Sequence, residues 1–298
     1  MNDVKKTKDE YVWHYTKLEA FLSIFKNKEL WLSNLKYTND PLEGEFSYAE
    51  FDNILKGLSQ NPKYELIYKQ FLNMPKDIFK IDSNIYSISF SKKDDRMQHW
   101  QVYGDAFHGI AFRVNVTKIK EMIEKLGFAN QYLYYLEMKY NHNDLEEFLN
   151  HYISELLEQY KSYDLNVILP NIIMSAYNMA LLQNKSDIFL GENETRFALC
   201  ETFMENTLDS ISNYDEEKNL LDEYGFGPNC KKFYFSKGLI KSRYAIDLKT
   251  IWEEGLIDEV VIGPLCNQDP RELRDFLISV GLKNVKIIES SLKGKVRF

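Results

Sequence analysis

The stretch Tyr11–Glu43, YVWHYTKLEAFLSIFKNKELWLSNLKYTNDPLE, constrains the fold more than any other. Tyr11, Val12, Trp13 and Tyr15 are β-branched and aromatic, as a half-buried strand requires. Leu18, Phe21, Leu22 and Phe25 then recur at three-to-four-residue spacing, which predicts a helix that Lys26, Asn27 and Lys28 interrupt. Glu29-Leu30-Trp31-Leu32 restarts as an extended piece, so the unit is strand, helix, strand. Asn39-Asp40-Pro41 predicts a shaped turn, because Asx side chains bond to nearby backbone and proline fixes φ. His14 therefore stands on a framework strand, and Thr16, two places on, shares its face.

The remaining 255 residues after Glu43 contain no Gly/Ser/Pro-rich linker, which points to one elaborated α+β domain with a split, mainly antiparallel sheet core. Helical insertions are expected at about 45–80 and 142–185. A formal net charge of −8 argues against a broad electrostatic footprint for nucleic acid or anionic membrane and leaves room only for a local basic groove. Cys200, Cys230 and Cys266 are odd in number and widely spaced, which fits a reducing cytoplasm better than a disulfide framework or a zinc site. No apolar run reaches the roughly 18 residues that span a bilayer, so a cytoplasmic chain with no membrane partner is the expectation.

Further along, IYSISFS at Ile85–Ser91 predicts a strand with Ile85, Ser87, Ser89 and Ser91 on one face and Tyr86, Ile88 and Phe90 on the other. Met97, His99, Trp100 and Tyr103 follow at helical spacing, then a strand from Gly109 to Val114 and a helix from Val116 that Gly127 ends. Residues 131–140 read as a strand, and 144–160 and 167–182 as long helices, with Pro170 in the first turn of the second. Strands are expected at 232–234, 244–248, 259–262 and 285–288. Asp269, Pro270 and Glu272 mark the start of the last helix and Gly281 its end.

Three sets of residues could carry chemistry. His14 and Thr16 would present an imidazole and a hydroxyl side by side, although a lone histidine among aromatic strand residues is more often structural. In Glu192-Asn193-Glu194-Thr195-Arg196, continued strand alternation would put both carboxylates and the guanidinium on one face, where a fixed negative charge can meet positive charge developing in a transition state. The bland alternative is a solvated acidic turn. Ser87, Ser89 and Ser91 could line a polar cleft, or simply face water; no GxSxG elbow accompanies them. Trp100 and Tyr103, with Tyr86, suit a core better than a stacking platform.

HYTKLEAFLSIFKNKELWLSN, the following NDPLE, YSISFS with a W-x-x-Y after it, E-x-E-x-R, VVIGP and the closing strand with Ser290 together resemble the bacterial family of uncharacterised DUF2971 proteins. More distantly, the early histidine, the polar strand and the late glutamate resemble ADP-ribosyltransferases of the His-Tyr-Glu type and their nucleic-acid-modifying relatives. That resemblance implies an NAD-dependent ADP-ribosyltransferase or NAD glycohydrolase, in the manner of a bacterial toxin or phage-defence effector. NAD would be the substrate and no metal would be needed. The acceptor would be a protein, a nucleic acid or a small molecule. It implies His14 and Thr16 at a ribose of NAD, Tyr86, Ser89 and Ser91 in the second block, and Glu194 or Glu192 steadying the ribose as nicotinamide leaves, with Arg196 holding the carboxylate. The chain departs from the pattern in having Tyr15 where many relatives have glycine, and in lacking an unambiguous stacking tyrosine. The alternative is a non-catalytic nucleotide-sensing or protein-interaction module of the same fold.

Overall fold

The computed structural model describes residues 9–38, 44–79, 84–125, 133–201, 230–236 and 238–296. It is an α+β protein whose strands form a ten-stranded, mostly antiparallel sheet. The chain divides into two compact units, one of residues 1–34, 86–135 and 191–298, the other of 35–85 and 136–190.

The first unit opens with β1 (Tyr11–Thr16), α1 (Leu18–Asn27) and β2 (Glu29–Asn34), the expected strand, helix and strand. Helix α1 ends where Lys28 turns left-handed at φ 56°. Next in this unit come β3 (Ile85–Ser91), α4 (Met97–Val102), β4 (Ile110–Asn115), α5 (Val116–Lys125) and β5 (Leu133–Glu137). It closes with β6 (Glu194–Cys200), β7 (Lys232–Ser236), β8 (Leu239–Asp247), β9 (Ile257–Ile262), α8 (Pro270–Ser279) and β10 (Lys286–Glu289). The strand order is β10-β9-β4-β1-β3-β2-β8-β7, and β6 pairs with both β3 and β5. β9 and β10, joined through α8, pair in parallel; the crossover helix makes that geometry possible. Asp269 caps α8 by accepting from the Arg271 N–H at 2.7 Å, with Pro270 in its first turn.

The two faces of this sheet differ in chemistry. Val12, Tyr86, Ile88, Phe90, Phe112, Phe197, Leu199 and Tyr244 join the large apolar core with Phe21 and Phe25 of α1. Trp13, Tyr15 and Ala111 of the same strands point the other way, to a smaller cluster with Trp100 and Phe107. Alternation along each strand produces this division, because successive side chains leave opposite faces.

The second unit contains α2 (Tyr48–Leu58), α3 (Glu65–Asn73), α6 (His142–Gln159) and α7 (Leu165–Gln183), so the two expected insertions fold together. Phe46, Phe51, Phe71, Phe79 and Tyr177 form its aromatic centre. The Tyr177 hydroxyl lies 2.7 Å from the carbonyls of both Phe46 and Phe79. A reciprocal Ser47–Glu50 capping box starts α2, and Asn141 caps α6. Pro170 is interior to α7 rather than in its first turn, because Asp164 caps the helix one residue before Leu165. By length and composition α7 could cross a membrane, but half of it is buried in the fold. The Asn39-Asp40-Pro41 turn and Gly127 lie outside the described residues.

Candidate functional site

Directly opposed strand residues share a face, and the register Trp13↔Ser91 and Ser33↔Ser87 puts Ser87, Ser89 and Ser91 with Trp13 and Tyr15. On β6, Phe197 and Leu199 belong to the apolar core with Phe90, so Glu194 and Arg196 leave the opposite, serine-bearing face. Ser89 is the one exposed residue of β3, while Ser87 and Ser91 are buried.

Arg196 is 1% exposed and Glu194 5%, and they form an ion pair two residues apart on one strand. Arg196 donates to a single Glu194 oxygen from Nη2 at 2.7 Å and from Nε at 3.0 Å. Mutual neutralisation keeps two charges tolerable in so dry a place.

Glu192 does not continue that strand. It ends a 3-10 turn, Asp187–Glu192, and Asn193 at φ 47° turns the chain between the two glutamates, so alternation starts only at Glu194. The Glu192 carbonyl accepts from Ser91 Oγ at 2.9 Å and from His99 Nε2 at 3.1 Å, and its carboxylate accepts from the Tyr103 hydroxyl. A carbonyl can only accept, so His99 carries its proton on Nε2. His99 Nδ1 is then buried without a partner among the described residues. Burial pushes the His99 pKa down, with Arg96 and Lys93 adding to the effect against the bond to Glu192.

Beside it, Trp100 is fully buried, with Tyr15 edge-on at 4.9 Å between ring centres. Its Nε1–H donates to Asp95 at 2.8 Å, and the Asp95 carboxylate also accepts from the Ser290 hydroxyl and the Ser291 N–H. Burial raises the Asp95 pKa, but these donors outweigh it and hold the carboxyl below its ordinary value. Close packing explains the glycines here: a Cβ on Gly104 would lie 2.6 Å from Trp100, and one on Gly263 2.5 Å from the Gly109 carbonyl.

His14 lies on the other face. Its imidazole sits between Phe90 and Phe112, 5.6 and 5.3 Å between ring centres, and its Nδ1 donates to the Ser89 carbonyl at 2.9 Å. Burial depresses its pKa, so the ring is neutral at pH 7. Thr16 is buried on the same face. Tyr86 is fully buried, with its hydroxyl 2.8 Å from Ser242 Oγ and its ring perpendicular to Tyr244. The structure thus brings Ser89, Ser91, Glu194 and Arg196 to one face, with Glu192 adjoining, and leaves His14, Thr16 and Tyr86 on the other. Asp95 was not singled out from sequence, His99 entered only through its helical spacing, Tyr103 was weighed with Trp100 and read as core, and Ser290 was noted only after the closing strand. The W-x-x-Y spacing shared by Trp100 and Tyr103 suits a core equally well.

Three clefts can be compared. In the second unit one of about 660 Å³ lies between the starts of α2 and α6 and the Asn184–Asp187 segment. Ser47 and Asn141 already occupy the N–H groups of those helix ends, and Glu45, Glu50 and Asp187 add negative charge, so it does not favour an anion. In the first unit, clefts of about 380 and 390 Å³ are lined by His108, Leu265 and Cys266 and by Trp13, Asp94, Asp95 and Glu259. No group of three or more His, Cys, Asp or Glu among the described residues could hold a metal ion.

No curated protein and no solved structure matches the chain. Residues 98–197, from the helix carrying His99 and Trp100 to the strand carrying Glu194 and Arg196, match the family model DUF2971, a protein of unknown function.

Proposed function

We propose that the protein is a non-catalytic nucleotide-sensing module, with its ligand on the serine-bearing face of the sheet, and that its DUF2971 character extends beyond the matched residues to the opening block HYTKLEAFLSIFKNKELWLSN. One observation carries this reading: strand alternation separates His14 from Glu194 by the thickness of the sheet. NAD-dependent ADP-ribosyl transfer or NAD hydrolysis in the His-Tyr-Glu manner needs the ribose-binding histidine and the carboxylate at the same sugar, because only groups in reach of the oxocarbenium-like centre can stabilise it. Here the Glu194 oxygen facing Arg196 is engaged twice, and the His14 ring is wedged between two phenylalanines. What favours a nucleotide is the polarity of the other face, which carries the exposed Ser89 hydroxyl for a hydroxyl- or phosphate-bearing ligand, with Arg196 buried on that face in its pair with Glu194.

The test is calorimetric titration of the purified chain with NAD, ADP-ribose and ATP, alongside an assay for nicotinamide release from NAD with cell lysate as a source of acceptor. The reading expects saturable binding without nicotinamide release, and loss of binding in Ser89→Trp at an unchanged melting temperature. Nicotinamide release that falls on the order of 10²-fold in both His14→Ala and Glu194→Gln would restore the transferase reading.

A further inference from the structure

The register of the sheet sets Ser87 of β3, Ser33 of β2, Arg243 of β8 and Lys232 of β7 in one row across adjacent strands. Directly opposed residues share a face, so Arg243 and Lys232 extend the serine-bearing face toward the β7 edge. Phe233, Phe235 and Ile240 leave the opposite face and take no part. Within the row two cations stand side by side, an arrangement that destabilises a sheet unless each has a counter-charge. Lys232 has one, bonded to Glu29 at 2.8 Å.

Arg243 differs. The chain carries 45 acidic residues against 37 basic ones, yet among the described residues no carboxylate forms an ion pair with this guanidinium, and its Nε is buried without a hydrogen-bond partner. The guanidinium carbon lies 3.5 Å from the centre of the Trp31 ring and 5.1 Å from that of Tyr234, so two aromatic side chains hold it in place. Burial pushes its pKa down, against the pull of Tyr234 and Glu29, and an arginine stays charged regardless. Only an acceptor with negative charge satisfies a cation that can do nothing but donate. Ser33, exposed and directly opposite on β2, adds a hydroxyl at cross-strand distance.

We propose that Arg243 and Ser33 form a phosphate-binding site on the serine-bearing face. The guanidinium donates to the phosphate oxygens as a fork, the hydroxyl donates a further bond, and the phosphate relieves the repulsion between Arg243 and Lys232. A phosphate suits the pair better than a carboxylate, because its three acceptor oxygens can meet the fork and the hydroxyl together. On the same face Arg196 is committed to Glu194 and Arg113 to Asp258, which makes Arg243 the guanidinium with bonds to give. The face is the one given above to a nucleotide, and that this phosphate belongs to a nucleotide rests on that reading.

The experiment is calorimetric titration of the purified full chain with ADP-ribose and with inorganic tripolyphosphate, at a salt concentration of about 50 mM, where charge–charge contacts are little screened. Arg243→Gln should weaken the binding of both by about tenfold or more. Ser33→Asp sets a carboxylate opposite Arg243, so it should remove the same binding with the melting temperature level or raised, and it carries the test if Arg243→Gln melts early. Tripolyphosphate binding that Arg243→Gln removes, in a chain that takes up no ADP-ribose, supports the phosphate site and removes the nucleotide reading. ADP-ribose binding of equal strength in the wild type, Arg243→Gln and Ser33→Asp overturns the site and leaves the nucleotide reading standing. Failure of the wild type to bind either probe overturns both.

Discussion

The two faces of one sheet are built on different physical principles. The face carrying Val12, Phe90, Phe112 and Phe197 is held by apolar area and ring packing, and it accepts His14 as one more flat ring among them. The opposite face is held by partners that cannot be exchanged: Arg196 with Glu194, Asp95 with Trp100 and Ser290, Tyr103 with Glu192. Area tolerates substitution by anything of similar shape, whereas a buried donor or charge that loses a partner bears a cost of desolvation. The polar face should therefore be the brittle one.

Glu194→Ala should break it most, leaving Arg196 buried without this counter-charge at a cost of about 3–5 kcal/mol. Urea unfolding measures this, and Glu194→Met/Arg196→Leu should recover much of the loss; a cost below about 1 kcal/mol would show that the pair is not what holds β6. Gly263→Ala comes next. Its Cβ would press on the Gly109 and Phe107 carbonyls and on Trp100, none of which can swing away, so about 1–3 kcal/mol should be lost in the same assay.

Titration compares the faces directly. His99 and His14 both have folded pKa values below the ordinary 6.5, so the unfolded chain takes up protons more readily than the folded one as pH falls. Their contribution is complete above pH 6.5 and is lost as pH drops from there through the folded values. Stability measured between pH 8 and 5 should be level at the top and decline below 6.5, and His99→Phe should flatten part of that decline. The carboxylates of Asp95 and Glu10, depressed from 3.8 and 4.5, add a separate loss at lower pH. The smallest effect is expected at His14→Phe, which adds a ring of similar size to an aromatic niche and should change stability by less than about 1.5 kcal/mol.

Much of the sheet was legible because period two survives in the residues themselves: IYSISFS and ETRFALC alternate as their faces require. Glu192 was misleading for the same reason, since its spacing from Glu194 also fits a strand and only the left-handed Asn193 removes it. The partition of His14 from Glu194 could not be read, because each strand's alternation is internal and nothing in either one says which of its faces meets the other's. Asp95 was silent, since its three donors come from Trp100 and from Ser290 and Ser291, almost 200 residues on, so that only tertiary structure assembles them.

His14 and Glu194, on opposite faces of the sheet, do not share a site. A double-mutant cycle in urea, with His14→Ala, Glu194→Gln and the pair, tests it most directly. Separate sites predict additive effects, with a coupling within about 0.5 kcal/mol, in the presence of saturating NAD as in its absence. A coupling of about 1 kcal/mol or more that emerges only when NAD is bound would put both side chains on one ligand and contradict it.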